Sequence, residues 1–125
     1  MKKAKILIVE DEEPLRNVLF KQFSKFNYHI VTAKDGEEAI SLFNSQQPDL
    51  VLLDIVLPKK SGIEVLEHIR IKKESKIPVL IISNLDEFRD KETTKNLNIQ
   101  GYYVKSKISL LELSSHVSKL LVVQT

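Results

Sequence analysis

The sequence predicts an α/β domain in which five strands and five helices alternate, (βα)5, to form a doubly wound parallel sheet. Short β-rich apolar runs alternate regularly with longer stretches of helical spacing. The connections between successive strands are long enough for right-handed helical crossovers, which favour parallel pairing. Proline and glycine fall between the predicted elements rather than inside them. We expect the strand order 2-1-3-4-5, with helices on both faces of the sheet.

Five short runs rich in aliphatic residues mark the strands. They cover residues 6–9, 29–33, 50–53, 79–82 and 102–104. Four of these runs do not alternate apolar with polar residues, as is typical of strands covered on both faces. The second run is mixed and suits an edge of the sheet.

Apolar residues at helical intervals predict the helices between the strands. The sets are Leu15, Val18, Leu19, Phe23 and Phe26; Ala39, Ile40 and Phe43; Val65, Leu66 and Ile69; and Leu110, Leu113, Val117, Leu120 and Leu121. A fourth helix is predicted over 86–98, where large apolar residues are few. Capping boxes are expected at Asp35 with Glu38 and at Ser109 with Glu112.

Composition narrows the possible functions. A chain of 125 residues has room for one ordinary domain. It has no cysteine, so disulfides, thiol nucleophiles and zinc–thiolate sites are excluded. The net charge is only +2 and the basic residues are scattered, which argues against direct nucleic-acid binding. Its apolar runs are too short for a membrane span and no secretory signal is present, so we expect a cytoplasmic protein with no membrane partner.

Polar residues at the predicted strand ends define a candidate site. Glu10 and Asp11 follow the first strand, Asp54 the third, Ser83 the fourth and Lys105 the fifth. In a doubly wound sheet ligands bind beyond the carboxyl ends of the strands. With the first and third strands adjacent, three carboxylates would share one pocket. Such a cluster binds a cation or takes up protons, and its oxygen ligands suit Mg²⁺.

This constellation favours phosphoryl chemistry. An aspartate can accept a phosphoryl group covalently, and the transfer depends on positioning and charge neutralisation. Lys105 and the metal would supply positive charge, and the Ser83 hydroxyl would supply a hydrogen-bond donor. Because no second base is predicted nearby, we expect a phosphorylated state that persists, as in a switch rather than a turnover enzyme.

The chain resembles the receiver domain of bacterial two-component response regulators, a flavodoxin-like family. The motifs that carry the resemblance run through the whole chain in order. They are ILIVEDE at 6–12, AKDGEEA at 33–39, PDLVLLD at 48–54, LP at 57–58 with SG at 61–62, Ser83, and GYYVK at 101–105. Each is weak alone, and together they are highly specific.

The resemblance implies a role for each matching residue. It makes Asp54 the phosphoacceptor, with a histidine kinase or phosphotransfer protein as donor. Mg²⁺ would be held by Asp11, Asp54 and the backbone carbonyl of Val56, with Glu10 acting through water. Lys105 and Ser83 would contact the phosphoryl group. Tyr102 would be the switch aromatic, and the face built by the fourth helix, fifth strand and fifth helix (the α4–β5–α5 face) would bind a downstream protein.

Two residues depart from the family pattern. Ser106 stands where the family usually has a proline in a cis peptide, so the bond after Lys105 is either trans or a strained cis bond. Asn84 stands where the family mostly has a small residue. Val56 and Leu85, two residues after Asp54 and Ser83, are apolar and cannot orient a water, which predicts slow dephosphorylation.

Three functions compete on this sequence. The leading one is a stand-alone receiver over residues 1–125 with no output domain, because the chain ends about one turn after Leu121. The second is a pseudo-receiver, a protein-binding module that is not phosphorylated. The third is a Mg²⁺-dependent phosphohydrolase with Asp54 as nucleophile. It ranks last because Val56 stands where a second carboxylate would be needed.

Overall fold

The computed structural model describes residues 3–84 and 96–123, with the side chain of residue 123 left out. Five strands, four regular helical segments and two short irregular turns follow one another along these residues. They are β1 (Ala4–Val9), α1 (Glu13–Ser24), β2 (Tyr28–Ala33), α2 (Gly36–Gln46), β3 (Leu50–Leu53), α3 (Gly62–Glu67), a π-helical turn (His68–Lys72), β4 (Val79–Ser83), β5 (Gly101–Val104), a 3-10 turn (Lys105–Lys107) and the C-terminal helix (Leu110–Val123). Most of the predicted fourth helix, and Leu85, lie outside the described residues.

The sheet has the predicted order β2-β1-β3-β4-β5, and all four strand pairs are parallel. This confirms the flavodoxin-like (βα)5 prediction. Val9 pairs with Ala33 on one side and with Leu53 on the other. The first residues after β1 and β3 therefore emerge side by side at the carboxyl edge of the sheet.

Two apolar cores lie on opposite faces of the sheet, because side chains alternate along a strand. In β1, Leu7 and Val9 join the core under α2 and α3, while Ile6 and Ile8 join the core under α1 and the C-terminal helix. Strands apolar at every position are the ones that need cover on both sides. The interpretation of β1, β3 and β4 as doubly covered strands is confirmed by their burial.

The fifth strand contacts apolar cores on both faces, as predicted, since Tyr102 packs against the core under α2 and α3 and Tyr103 against the core under α1 and the C-terminal helix. All four residues of β5 are only half-buried. Among the described residues β5 pairs with β4 alone, so it is an edge strand, as is β2 at the opposite side of the sheet. The expectation of an edge position for β2 is confirmed.

The inward face of α1 is narrower than the apolar spacing predicts. Leu19 and Phe23 are buried, whereas Val18 is 44% exposed and Phe26, which the spacing placed on the same helix, lies beyond its end and is 45% exposed. The polar Gln22 takes an inward position instead and donates a 3.0 Å hydrogen bond to Ser114 Oγ of the C-terminal helix. A satisfied buried amide can replace an apolar side chain at such a position.

Helix caps also differ in detail from the prediction. Asp35 accepts the Glu38 N–H, but the Glu38 carboxylate accepts the N–H of Lys34 instead of that of Asp35. Ser109 accepts the Glu112 N–H at 3.2 Å. A complete capping box, with both hydrogen bonds formed, lies at Ser61 and Glu64 before α3, although we did not predict it.

Among the described residues, no helix combines the length and apolar character needed to cross a membrane.

Candidate functional site

Two buried carboxylates lie side by side at the carboxyl edge of the sheet. Glu10 follows β1 and Asp54 follows β3, and their exposed fractions are 1% and 2%. Their backbones continue the strand ladders, since Glu10 N–H donates to Ala33 O at 3.0 Å and Asp54 N–H to Val9 O at 3.1 Å. The predicted convergence of the first and third strand ends is therefore present in the structure.

Lys105, the first residue after β5, places its ammonium group between three carboxylates. Nζ donates to Asp54 Oδ2 at 2.8 Å, to Glu10 Oε2 at 3.0 Å and to Glu12 Oε1 at 2.8 Å. It also lies 2.9 Å from Glu10 Oε1, which itself accepts no aligned hydrogen bond. An ammonium group has three N–H donors. All three donors of Lys105 are therefore in use.

The site holds more negative charge than its environment favours. Burial raises the pKa of Asp54 and of Glu10 above their ordinary values, and the hydrogen bonds from Lys105 only partly oppose this. Repulsion from Asp54 raises the pKa of Glu10 further. Burial by itself would lower the pKa of Lys105, but its hydrogen bonds to Asp54, Glu12 and Glu10 outweigh this and raise it. The lysine is firmly cationic, and the carboxylates lack sufficient counter-charge.

Glu12 is a member of this cluster to which the sequence analysis gave no role. Its side chain is 62% exposed, and its hydrogen bond to Lys105 lowers its pKa. Its backbone N–H donates to Glu10 Oε2 at 3.0 Å, which turns the chain back toward the site. The only sequence signal was a third acidic residue directly after the Glu10–Asp11 pair.

Arg16 fixes the loop that follows β1, and this role too was not predicted. Its guanidinium donates to the backbone carbonyls of Glu10 at 2.9 Å and Asp11 at 3.2 Å. Arg16 lies in the first turns of α1. The acidic loop is thus tied to the helix that follows it.

The loop after Asp54 is held by a close backbone approach. Gly62 N–H donates to Ile55 O at 2.7 Å. A Cβ atom on Gly62 would overlap the backbone carbonyl of Asp54 and would lie 2.7 Å from Ile55 Cα. Only glycine fits here, and this contact fixes the backbone at Asp54 and Ile55.

A cavity of about 360 Å³ opens directly above these carboxylates. Seven residues line it, and five of them were predicted as site residues. The five are Asp11, Asp54, Val56, Ser83 and Lys105, and the other two are Glu12 and Asn84. Asp11 is exposed at the cavity, and the Val56 N–H donates weakly to Asp54 Oδ1 at 3.4 Å. A small polyatomic ligand could reach Asp54 through this opening.

The two predicted switch residues occupy different positions. Ser83 ends β4, is buried and lines the cavity. Tyr102 pairs with Ile81 in the sheet, is half-buried and packs against the core under α2 and α3. Tyr102 is not among the residues that line the cavity. The structure therefore brings Ser83 to the cavity, whereas Tyr102 lies within β5 and does not line it.

The two departures from the family pattern contact each other. The Ser106 backbone N–H donates to Asn84 Oδ1 at 3.1 Å. No cis peptide occurs among the described residues, so the bond from Lys105 to Ser106 is trans. Of the two geometries left open by the sequence, the loop adopts the unstrained one.

Comparison with known proteins agrees with this geometry. Residues 6–117 match the family model of the response regulator receiver domain. The chain belongs to the response regulator receiver family. This receiver is 40% identical over 119 residues to a probable transcriptional regulator ycf27 of Cyanophora paradoxa, covering 95% of the chain and 48% of the relative. It is 37% identical over 117 residues to the alkaline phosphatase synthesis regulator PhoP of Bacillus subtilis, covering 94% and 48%.

Solved structures share the fold of this receiver domain. The response regulator TrrA of Thermotoga maritima, solved in complex with Mg²⁺ and BeF, is 35% identical with a TM-score of 0.82, and the match covers 94% of this chain and 98% of that one. A Francisella response regulator receiver domain is 27% identical with a TM-score of 0.88, covering 98% and 100%. The receiver spans about half the length of the curated relatives that it matches.

The acidic group of this receiver fits a hard divalent cation. Receiver domains generally bind Mg²⁺ at an acidic pocket. Here Glu10, Asp11 and Glu12 each offer a carboxylate oxygen, and these oxygens lie within 4.8 Å of one another. Oxygen ligands are those that Mg²⁺ prefers. Glu10 Oε1 is buried and lies 2.9 Å from the Lys105 ammonium, but it accepts no aligned hydrogen bond among the described residues.

Proposed function

We propose that this receiver domain accepts a phosphoryl group on Asp54 from a histidine kinase or a phosphotransfer protein, with Mg²⁺ as cofactor. The observation that carries the proposal is the position of Asp54. Its carboxylate lies at the floor of an open cavity, with Oδ2 2.8 Å from the ammonium of Lys105. A buried carboxylate that a small ligand can reach, next to a fixed cation, suits a nucleophile for phosphoryl transfer.

In the proposed step, an oxygen of Asp54 forms a bond to phosphorus as the bond between phosphorus and the donor histidine nitrogen breaks. The bonding electron pair stays with the imidazole. The transferred group carries its negative charge into a site that already holds Glu10 and Glu12. Charge neutralisation, more than proton transfer, is therefore the main requirement on this protein.

Lys105 meets part of that requirement by exchanging hydrogen-bond partners. Its three N–H donors are occupied by carboxylates, so it contacts an incoming phosphoryl oxygen only by leaving one of them. Glu12 is the partner to leave, because its side chain is 62% exposed and water can take the place of the lysine. The Ser83 hydroxyl, at the cavity wall, would donate to a second phosphoryl oxygen.

Asp11, Asp54 and the backbone carbonyl of Val56 would hold the Mg²⁺ ion, and Glu10 would act through a bound water. When bound, the ion supplies positive charge for the oxygens of the transferred group. Burial of Glu10 and Asp54 without enough counter-charge supports this assignment.

We propose further that the phosphorylated state is long-lived, so that the protein acts as a switch. Val56 is exposed at the cavity and apolar, so it cannot orient an attacking water. The other flanking position, Leu85, lies outside the described residues. A phosphohydrolase would need a general base next to Asp54, and Val56 cannot serve as one.

The output would pass through the face that contains β5 and the C-terminal helix, with Tyr102 as the switch aromatic. The fourth helix, the remaining part of this face, lies almost entirely outside the described residues. The relatives are named as transcriptional regulators and are about twice as long. We propose that this receiver acts on a protein target in the cytoplasm and does not itself bind nucleic acid.

The test is the intact mass of the protein after incubation with acetyl phosphate and Mg²⁺, with Asp54→Asn and an EDTA-treated sample as controls. We expect the mass of one added phosphoryl group in the wild type alone. No gain in the wild type, together with no response to beryllofluoride, would refute the proposal and favour a pseudo-receiver. A gain that survives Asp54→Asn would place the acceptor elsewhere.

A further inference from the structure

The hydrogen bond between Asn84 and Ser106 joins the two loops that frame the cavity. Asn84 is the first residue after β4, and Ser106 is the second residue after β5. The last pair in the ladder between these strands is Ser83 with Val104. The side chain of Asn84 therefore adds one connection beyond the point where the backbone ladder ends.

The bond satisfies a backbone group that the turn leaves open. Ser106 lies inside the 3-10 turn Lys105–Lys107, and the first N–H groups of a helical turn have no partner within it. Asn84 Oδ1 accepts this N–H at 3.1 Å. The turn that follows Lys105 is thus fixed from the side of β4.

This contact acts one peptide unit away from the site lysine. The ammonium of Lys105 must reach three carboxylates in the segments that follow β1 and β3, at 2.8 to 3.0 Å. The direction of its side chain depends on the backbone that carries it. Val104 on one side of Lys105 is held by the sheet, and Ser106 on the other side is held by Asn84.

We propose that Asn84 is a positioning residue for Lys105, acting through the Ser106 N–H. The role requires an acceptor at position 84 and an N–H at position 106, so neither residue performs it alone. Asn84 and Ser106, the two departures from the family pattern, then act together through one hydrogen bond. This inference rests on the proposed function in one respect, since it assumes that Lys105 serves the phosphoryl site.

Asn84 also lines the cavity, so it has a competing role as a direct contact of the incoming group. The two roles differ in what they require of residue 106. Positioning depends on the Ser106 N–H, whereas direct contact does not. The Ser106 side chain is not part of the described hydrogen bond, which provides a matched control.

The experiment compares Asn84→Ala, Ser106→Pro, their double variant and Ser106→Ala with the wild type. Affinity for beryllofluoride in the presence of Mg²⁺ is measured by fluorescence or NMR titration. The second readout is the set of amide ¹H–¹⁵N signals of residues 105–107 in the uncomplexed protein, together with the ¹⁵Nζ signal of Lys105. Asn84→Asp keeps the acceptor oxygen and serves as the rescue variant for the NMR readout.

We expect Asn84→Ala and Ser106→Pro each to weaken beryllofluoride binding about three- to tenfold, as the loss of one such hydrogen bond implies. The double variant should be no weaker than either single variant, and Ser106→Ala should match the wild type. The Ser106 amide and Lys105 Nζ signals should shift in Asn84→Ala, and the Ser106 amide signal should regain the position of a hydrogen-bonded amide in Asn84→Asp. Additive losses, or Asn84→Ala without a shift at Lys105 Nζ, would overturn the proposal.

The NMR readout separates this inference from the proposed function. If the wild type fails to bind beryllofluoride but Asn84→Ala still moves the Lys105 Nζ signal, the proposed function fails and the positioning role stands. If the wild type binds it and no variant alters the Lys105 signal, the positioning role fails alone.

Discussion

Lys105→Met is the perturbation with the largest consequence for the metal-free protein. The side chain of Lys105 is 9% exposed, and its removal leaves Glu10 and Asp54, whose side chains are 1% and 3% exposed, facing each other without a cation. One of the two carboxylates must then take up a proton. At pH 7, protonating a carboxyl group with the ordinary pKa of 3.8 costs about 4 kcal/mol, at 1.36 kcal/mol per pH unit.

Removing one partner of a buried ion pair typically costs about 3–5 kcal/mol. Because water in the adjoining cavity stabilises a remaining charge, we expect a loss near the lower end, about 3 kcal/mol in the free energy of unfolding. That loss lowers the melting temperature of a domain of this size by about 12 °C. Urea denaturation in EDTA at pH 7 measures it.

Two further variants, Lys107→Met and the double variant with Asp54→Asn, serve as controls for Lys105→Met. Lys107→Met removes a nearby exposed lysine that has no polar partner among the described residues, and it should leave stability within about 0.5 kcal/mol of the wild type. Adding Asp54→Asn to Lys105→Met should recover most of the loss, since one buried charge is gone. The loss should also shrink below about 2 kcal/mol at pH 5, where protonation is easier. A loss under 1 kcal/mol at pH 7, or no recovery with Asp54→Asn, would refute the reasoning.

Three further outcomes are expected. Glu12→Ala should tighten beryllofluoride binding in Mg²⁺ because it removes the acceptor and frees one ammonium N–H of Lys105, whereas Glu13→Ala should not; weaker binding of Glu12→Ala in a titration would contradict the proposed exchange of hydrogen-bond partners. Burial and two nearby lysines lower the pKa of His68 below 6.5, so its contribution to stability is complete above that pH and is lost as pH falls through its folded-state pKa. Urea denaturation of wild type and His68→Gln at pH 7 and 5 should show the wild type losing more, and equal losses would count against it. Gly62→Ala should cost about 1–3 kcal/mol in the same assay because its Cβ overlaps the backbone of Asp54; a neutral result would show that the loop shifts freely.

The fold could be predicted almost completely because its signals are local and redundant. Strands that are apolar at every position indicate cover on both faces, and β3 was predicted to the residue. The errors occur where tertiary context overrides the local pattern. β5 is apolar like β3, but its residues are only half-buried, because among the described residues β4 is the one strand that pairs with it.

The convergence of the candidate site was also predictable, since parallel strands end at one edge. The strand order predicts that Glu10, Asp54 and Lys105 lie at the same edge of the sheet. In the structure the Lys105 ammonium is within 3.0 Å of both carboxylates. The partners of Lys105 were not fully predictable. Glu12 enters the site because its own N–H bonds to Glu10, a turn that no spacing rule encodes.

The contact between Asn84 and Ser106 shows why departures from a pattern are hard to interpret singly. In the sequence, Ser106 indicated only a missing proline, and Asn84 only a polar side chain in place of a small one. Their hydrogen bond depends on the distance between two loops, which the sequence does not contain.

The ion pairs of Lys105 also set an order of events for a chain that is still being synthesised. The lysine lies 95 residues after Glu10 and 51 residues after Asp54 along the chain. A nascent chain that has not yet released residue 105 from the ribosome carries the acidic residues without their cation. Glu10 and Asp54 then have no cation that could be buried with them. If Asp54 accepts a phosphoryl group as proposed, it would do so only after residue 105 has been released and its ammonium has packed against the site.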